Sequence, residues 1–366
     1  MAPGEGARIR ITGTGPVAMA FALWLRRQGI GPGRIDWVRH GGPVPEAVAA
    51  RAIALSAGSV QLLERVMPMP RSAPIHDVDV RIDSQPGSLR MEHAEHDLPA
   101  LGHVVRYGEL VAALGAACDA AGFVAASADA KQQAPGAATA AIEVCADGNT
   151  GIDAEQRGFG QCALLAEVQA ERERHGVAFE RFGANGPLAL LPLPEANRHA
   201  LVWCDRPEAC HERAGMSPPE FEATLGQAFG SGLGHLRLVS PRHVAPLVRS
   251  LRRETFDGTR IMIGNAAQAL HPVAGQGLNL GLRDAFELAQ ALGDAGDDAA
   301  ALRGACATHA RTRRRDRLVT VGATDRLAVM FDSPMVRGVA SMLLAMLDLV
   351  PPARRGIAKG FMFGWR

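Results

Sequence analysis

With 366 residues and 47% hydrophobic content, the chain can bury one large core or two coupled ones, and its length favours two domains. A net charge of +1 leaves no global field for nucleic acid or anionic lipid. The six cysteines form no CxxC pair, Met1 to Ala7 lack an apolar signal region, and no window reaches the roughly 18 uncharged apolar residues of a spanning helix. These features imply a soluble cytoplasmic protein with reduced thiols.

In chain order, Arg8 to Thr12 predicts a strand that runs into Gly13-Thr14-Gly15-Pro16-Val17-Ala18. Pro16 suits a first helical turn, where its missing N–H costs nothing. Val17, Phe21, Trp24 and Leu25 then mark one helix face, Gly29 is a plausible cap, and Ile35 to Val38 predicts a second strand. Strand, glycine turn, helix and strand open a dinucleotide-binding fold, with Ala18 at the third glycine position. A tight turn packed for its own sake is the alternative. The acidic ribose ligand expected about 20 residues on is replaced by Arg39, and Asp36 lies within the strand.

Ala47 to Val66 predicts a helix beginning with Arg51-Ala52-Ile53-Ala54-Leu55-Ser56, and Gly108 to Gly122 predicts another. Ala125 to Ala141 is a loose connection, and Ala141 to Cys145 is a short strand ending in Ala146-Asp147-Gly148. From Gln161 to Ser240 the texture changes to short alternating runs (Ala163 to Val168, Leu188 to Leu193, His199 to Cys204), which predict an antiparallel sheet. A helix is expected near Pro219 to Phe229, with a turn over Gly230 to Gly234.

The most informative stretch is Arg260 to Leu292. Ile261, Met262 and Ile263 form a buried strand, Gly264 breaks it, and Gly275-Gln276-Gly277 opens a helix whose apolar stripe is Leu278, Leu282, Ala285, Ala289 and Leu292. His271-Pro272 lies between. Such a segment sets bare amides and a helix N-terminus against something flat and polar. Near the end, Arg311, Arg313, Arg314, Arg315 and Arg317 read as a solvated helix face, contact with acidic lipid or a partner being the alternative. Met330, Met335, Met342, Met346 and Met362 read as core packing before membrane contact. His93, His96 and His103 sit in a polar loop without a cysteine partner, so no metal site is expected.

The expected fold class is α/β: a discontinuous Rossmann-like domain (1–70, 101–160 and 245–325), an inserted antiparallel β-sheet substrate domain (71–100 and 161–244), and C-terminal helices (326–366).

The GTGPVA turn, Ala146-Asp147-Gly148, the Gly264-to-Asp284 segment and AFERFGANGPLALLPL (Ala178 to Leu193) resemble the flavoprotein aromatic hydroxylases of ubiquinone biosynthesis. Gly264-Asn265-Ala266-Ala267-Gln268, RAIALSAGS and LVWC resemble the branch acting on 2-polyprenyl-6-methoxyphenol. The resemblance implies FAD as cofactor, NAD(P)H or another donor visiting transiently, and O2-dependent hydroxylation of a polyprenylated methoxyphenol through a flavin C4a-hydroperoxide. It assigns Gly13, Gly15, Pro16, Val17 and Ala18 to the pyrophosphate turn. Asn265, beside Gly264, faces the ribityl or pyrophosphate region. Pro272, Gly275, Gln276, Gly277, Leu278 and Asn279 lie along the isoalloxazine. Arg39 takes the ribose position, Arg51 and Arg106 match flavin-contacting positions, and Asp147 braces the loops. His271, beside Pro272, is a site-lining candidate for acid/base work, a structural histidine being the alternative. Arg51 and Arg106 could equally be surface partners, and Asp147-Gly148 an ordinary turn.

Arg39 and the short stretch between Gly122 and Ala146 depart from the family's pattern. Rival expectations are therefore a non-catalytic paralogue serving a ubiquinone-biosynthesis assembly, and a reductase that inserts no oxygen. The prenyl tail of such a substrate suggests peripheral membrane contact. No nucleic-acid partner is expected.

Overall fold

The computed structural model describes residues 6–39, 44–83, 85–123, 126–127, 140–148, 154–270, 275–329 and 333–364. His271 and Pro272 therefore lie outside the described residues, and of Arg39 only the backbone is described.

Strand β1 (Ile9–Thr12) leads into α1 (Pro16–Arg27) and β2 (Ile35–Arg39). A single turn, α2 (Glu46–Ala49), precedes β3 (Ala52–Ser56) and α3 (Ala57–Glu64). Next come β4 (Ser72–Ile75), β5 (Asp77–Ile82), β6 (Ser88–Glu92), β7 (Gly102–Arg106), α4 (Tyr107–Ala120), β8 (Ala126–Ser127) and β9 (Ile142–Cys145). The middle of the chain holds β10 (Glu155–Ala170), β11 (Val177–Gly183), β12 (Gly186–Pro192), β13 (Arg198–Asp205), α5 (Pro207–Gly215), α6 (Pro218–Phe229), β14 (Leu236–Leu238) and β15 (His243–Leu251). It closes with β16 (Arg260–Met262), β17 (Gln268–Ala269), α7 (Gln276–Ala295), α8 (Ala299–Val329), α9 (Pro334–Asp348) and α10 (Pro351–Phe363).

A parallel sheet in the order β16-β9-β1-β2-β8 carries α1 and α7. Helix α1 is apolar all round and buried from Pro16 to Leu25, so it is an interior helix rather than a surface one. The expected stripe of α7 is inside: Leu282, Ala285, Ala289 and Leu292 are fully buried, joined by Leu288. Leu278 is the exception and faces a cavity. The antiparallel middle forms a nine-stranded sheet with β5 and β6 added beyond β11, while β3, β7 and β4 make a small third sheet. The stretch 71–100 thus contributes to two sheets.

The helix expected over 47–66 is interrupted. Residues Ala52 to Ser56 are a strand, paired residue for residue with β7 from Ala52↔Arg106 to Ser56↔Gly102. Ladder bonds and the packing of Ile53 and Leu55 outweigh an alanine-rich composition that favours helix only weakly. Ser56 then caps α3, accepting from the Ser59 amide at 3.3 Å.

The arginine run is only partly a solvated face. Arg311, Arg314 and Arg315 are exposed, but Arg313 and Arg317 are buried. Arg313 donates to Asp284 Oδ1 at 2.7 Å, and Arg317 donates to the Arg252 carbonyl at 2.7 Å. On a long helix, alternate arginines of one run face opposite directions, and composition does not show which face is covered.

The methionine stripe is also not core packing as a whole. Met335, Met342 and Met346 are exposed, and Met362 is buried. Among the described residues no single helix is long and apolar enough to cross a membrane; α9 and α10 reach that length and apolarity only together, as a pair bent by 105°.

Candidate functional site

The turn after β1 is held from two sides. Trp37 Nε1 donates to the Gly13 carbonyl at 2.7 Å, and Gly13, at φ +112°, lies against the 146–147 backbone. A Cβ there would sit 2.4 Å from the Ala146 carbonyl oxygen. Gly13→Ala should therefore destabilise the fold by about 2–4 kcal/mol, from strain and clash together. Urea denaturation measures it, and a loss under about 0.5 kcal/mol would show that the turn relaxes freely.

No side chain caps α1 at Gly15, and a Cβ on Gly15 would have the Tyr107 hydroxyl, at 3.7 Å, as its nearest neighbour. The first amides of a buried helix are thus left without a side-chain cap, an arrangement suited to a phosphate. Gly264 is buried against Val17, and Gly281 approaches so closely that a Cβ would lie 3.0 Å from the Gly264 Cα. These glycines let α7 and the 264–266 turn close onto the start of α1. Asn265 beside them is exposed.

Gly275, Gln276, Gly277 and Leu278 together line a cavity of about 570 Å³. Among the described residues nothing lies within 4 Å of a Cβ built on Gly277. Asn279 is engaged by the protein itself: its amide donates to the Ala54 and Gly275 carbonyls at 2.9 and 2.7 Å, and its Oδ1 accepts from the Ser56 amide at 2.9 Å. It joins β3 to the head of α7, so only its backbone is left for a cofactor. Gln276 Nε2 donates to the Phe361 carbonyl at 3.4 Å.

The remaining sequence candidates are scattered. Arg51 is exposed, with its carbonyl accepting from the Tyr107 amide at 2.8 Å. Arg106 is clamped by Glu167 and by Glu195, the latter at 3.3 Å, which raises its already high pKa. It ties β7 to β10. Asp147 is exposed at its turn, and Asp36 is paired with Arg10 at 2.9 Å.

The cavity continues from the Gly275 loop between the nine-stranded sheet and the C-terminal helices. Its walls are apolar: Val78 and Val80 from β5, Ala189 and Leu191 from β12, Leu344 and Leu347 from α9. Among the described lining residues only Glu180 and Cys204 are titratable. Burial holds the Cys204 thiol well above its ordinary range and raises the Glu180 carboxyl to about 8, against a smaller opposing effect of Arg181. Neither was singled out from the sequence. Strand alternation in Ala178-Phe179-Glu180-Arg181-Phe182 separates two faces, but nothing in the pattern says which one borders a cavity.

Residues 119–320 match the FAD binding domain family, more than half of the chain. The chain belongs to that family. The glycine cradle at Gly13, the open helix N-terminus at Gly15 and the space above Gly277 fit a dinucleotide with a flat ring system.

Among relatives of this FAD-binding chain, a ubiquinone hydroxylase of Rhodospirillum rubrum is 37% identical over 188 residues, 50% of this chain and 43% of that protein. An uncharacterized protein of Synechocystis is 32% identical over 211 residues, 56% of this chain and 50% of that one. The chain thus spans about half the length of these two. The 3-demethoxyubiquinol 3-hydroxylase of Escherichia coli is 27% identical over 325 residues, covering 79% and 80%. The solved structure of a probable FAD-dependent monooxygenase from Pseudomonas aeruginosa superposes with a TM-score of 0.69 at 18% identity, over 92% of this chain and 99% of that one. A p-nitrophenol 4-monooxygenase from Pseudomonas putida gives 0.69 at 16% identity, over 97% of each chain. The fold is that of the FAD-dependent monooxygenases.

Proposed function

We propose that this chain is an FAD-dependent monooxygenase that hydroxylates a polyprenylated methoxyphenol in ubiquinone biosynthesis, with NAD(P)H or another donor visiting transiently. The observation that carries the proposal is that residues 275–278 line an apolar cavity of about 570 Å³. That volume lies in the range of small-molecule sites. Names of the relatives support the same pathway.

The bound flavin would supply the oxygen-activating chemistry. The protein's part is binding, orientation and dryness. Gly13, Gly15, Val17 and Ala18 would hold the pyrophosphate by backbone, and Gly275 to Leu278 would set amides along the ring edge, where negative charge on the reduced ring is stabilised. The walls from β5, β12 and α9 would exclude water and pack the substrate's apolar part.

The visible spectrum of freshly purified protein tests the cofactor. Flavin bands near one equivalent are expected, and chemically reduced protein mixed with O2 and a prenylated methoxyphenol should yield a hydroxylated product. A colourless preparation that FAD does not restore would favour the non-catalytic paralogue, for which Arg39 at the ribose position speaks. A yellow protein that reoxidises without product would be a reductase.

Contact with lipid is part of the same proposal. Leu343 lines the cavity and is also exposed, beside exposed Met342 and Met346. A prenyl tail leaving the cavity along α9 would thus pass from one apolar surface to another. Flotation with liposomes should recover the protein in the lipid fraction, and Met342→Glu with Met346→Glu should abolish recovery; a wild-type protein left wholly in solution removes the idea.

A further inference from the structure

Among the described residues lining the cavity there is one acidic side chain, Glu180, and no described residue hydrogen-bonds to its carboxyl. Along β11, Val177, Phe179 and Arg181 lie on one face, where Arg181 donates to Asp79 Oδ1 at 2.8 Å and stacks over the Phe179 and Phe229 rings. Ala178, Glu180 and Phe182 lie on the other and line the cavity, which Phe179 also reaches. The strand neighbours of Glu180 are Val80 on β5 and Ala189 on β12, both cavity-lining and both apolar. No cation faces it. Asp77, Asp79 and Arg81 of β5 do not line the cavity, nor do Arg90 and Glu92 of β6. The charged residues of α9 and α10 (Arg337, Asp348, Arg354, Arg355 and Lys359) are likewise outside its lining. From β13 only Cys204 faces in, beside Val202, and its thiol is neutral.

Glu180 is half-buried, and a carboxyl set among apolar walls keeps only part of its water, so it costs stability unless something arrives to use it. We propose that Glu180 binds the phenolic hydroxyl of the cavity's aromatic ligand and takes its proton. The second half of this proposal rests on the hydroxylase reading above. On transfer the phenol O–H bond breaks, the proton passes to a Glu180 carboxylate oxygen, and the electron pair stays on the phenolic oxygen and delocalises into the ring. The ring is then richer in electrons for attack on an electrophilic oxygen. After the product leaves, the acid returns its proton to water. Burial brings Glu180 to about 8, and an ordinary phenol lies near about 10, so the two are close enough for efficient transfer. A carboxyl at its usual value would be too weak a base.

Two arms test this with FAD-loaded protein. In the binding arm, 2-farnesylphenol and its methyl ether are compared by calorimetry at pH 9. The wild type should prefer the phenol by about tenfold or more, and Glu180→Leu should bind the two alike. Equal wild-type affinities would overturn the proposal whatever the chain catalyses. In the turnover arm, chemically reduced protein is mixed with O2 and 2-farnesylphenol across the pH range. The wild-type rate should rise through a limb near pH 8. Glu180→Gln still accepts a hydrogen bond but not a proton; it should keep phenol binding, lose the limb and slow by about 100-fold. An unchanged pH profile in Glu180→Gln would overturn the proton-accepting role. Phenol preference in the wild type with no product from it would instead sink the hydroxylase reading and leave Glu180 as a binding residue.

Discussion

Asp284→Asn will destabilise the protein by about 3–5 kcal/mol, the usual cost of removing one partner from a buried ion pair. The carboxylate is nearly inaccessible and accepts from Arg313 Nε at 2.7 Å and from Gln268 Nε2 at 3.1 Å. Arg313 is joined on its other side by Asp316 at 2.8 Å and Glu287 at 3.4 Å. Two more buried guanidiniums are nearby: Arg317, and Arg283, whose pKa burial pushes down. Three buried cations around few carboxylates are tolerable only while each carboxylate keeps its charge. Asparagine keeps the volume and removes that charge. The cluster ties α8 to α7, the helix whose first turn lines the cavity, so cofactor retention should fall with stability. Chemical denaturation measures the first and the flavin-to-protein ratio the second. A loss below about 1 kcal/mol would mean that the pair is replaceable by solvent.

This cluster also shows where the sequence stopped being legible. The first helix and α7 could be placed because their apolar spacing is regular and their starts carry glycine and proline, signals that depend only on neighbours along the chain. The family resemblance rested on the same short segments. Strand β3 was hidden because its partner, β7, lies some 50 residues away and alanine is at home in a helix. Arg313 and Arg317 looked like solvent-facing charges because their partners are on α7 and the 252–255 segment. Asn279 was expected at the flavin, yet its amide holds β3 in place, a role that required knowing that β3 is a strand. Exposed Met335, Met342 and Met346 were read inward, because a stripe of methionine shows apolarity and not what covers it.

Glu180→Gln will change how stability depends on pH more than it changes stability at any single pH. In the folded chain the carboxyl keeps its proton up to about pH 8, whereas an unfolded glutamate releases it near its ordinary 4.5. Between those values the folded state binds the additional proton, so wild-type stability falls as pH rises through the window and is untouched below it. At about 1.4 kcal/mol per pK unit the penalty by pH 9 is about 2–4 kcal/mol, discounted for water that reaches the cavity. Glutamine carries a constant cost for its own unpaired amide, of about 1–3 kcal/mol, with no pH dependence. The variant should therefore be the less stable protein at pH 5 and the more stable one at pH 9, with the curves crossing between. His199 and His309 run the other way: burial depresses both to about 4, so their contribution is lost as pH falls from about 6.5. They are common to both proteins and cancel in the difference. Urea midpoints at pH 5, 7 and 9 give the result. Parallel curves for the two proteins would show that Glu180 ionises freely in the fold, and a base poised near the substrate's own proton affinity would then be absent.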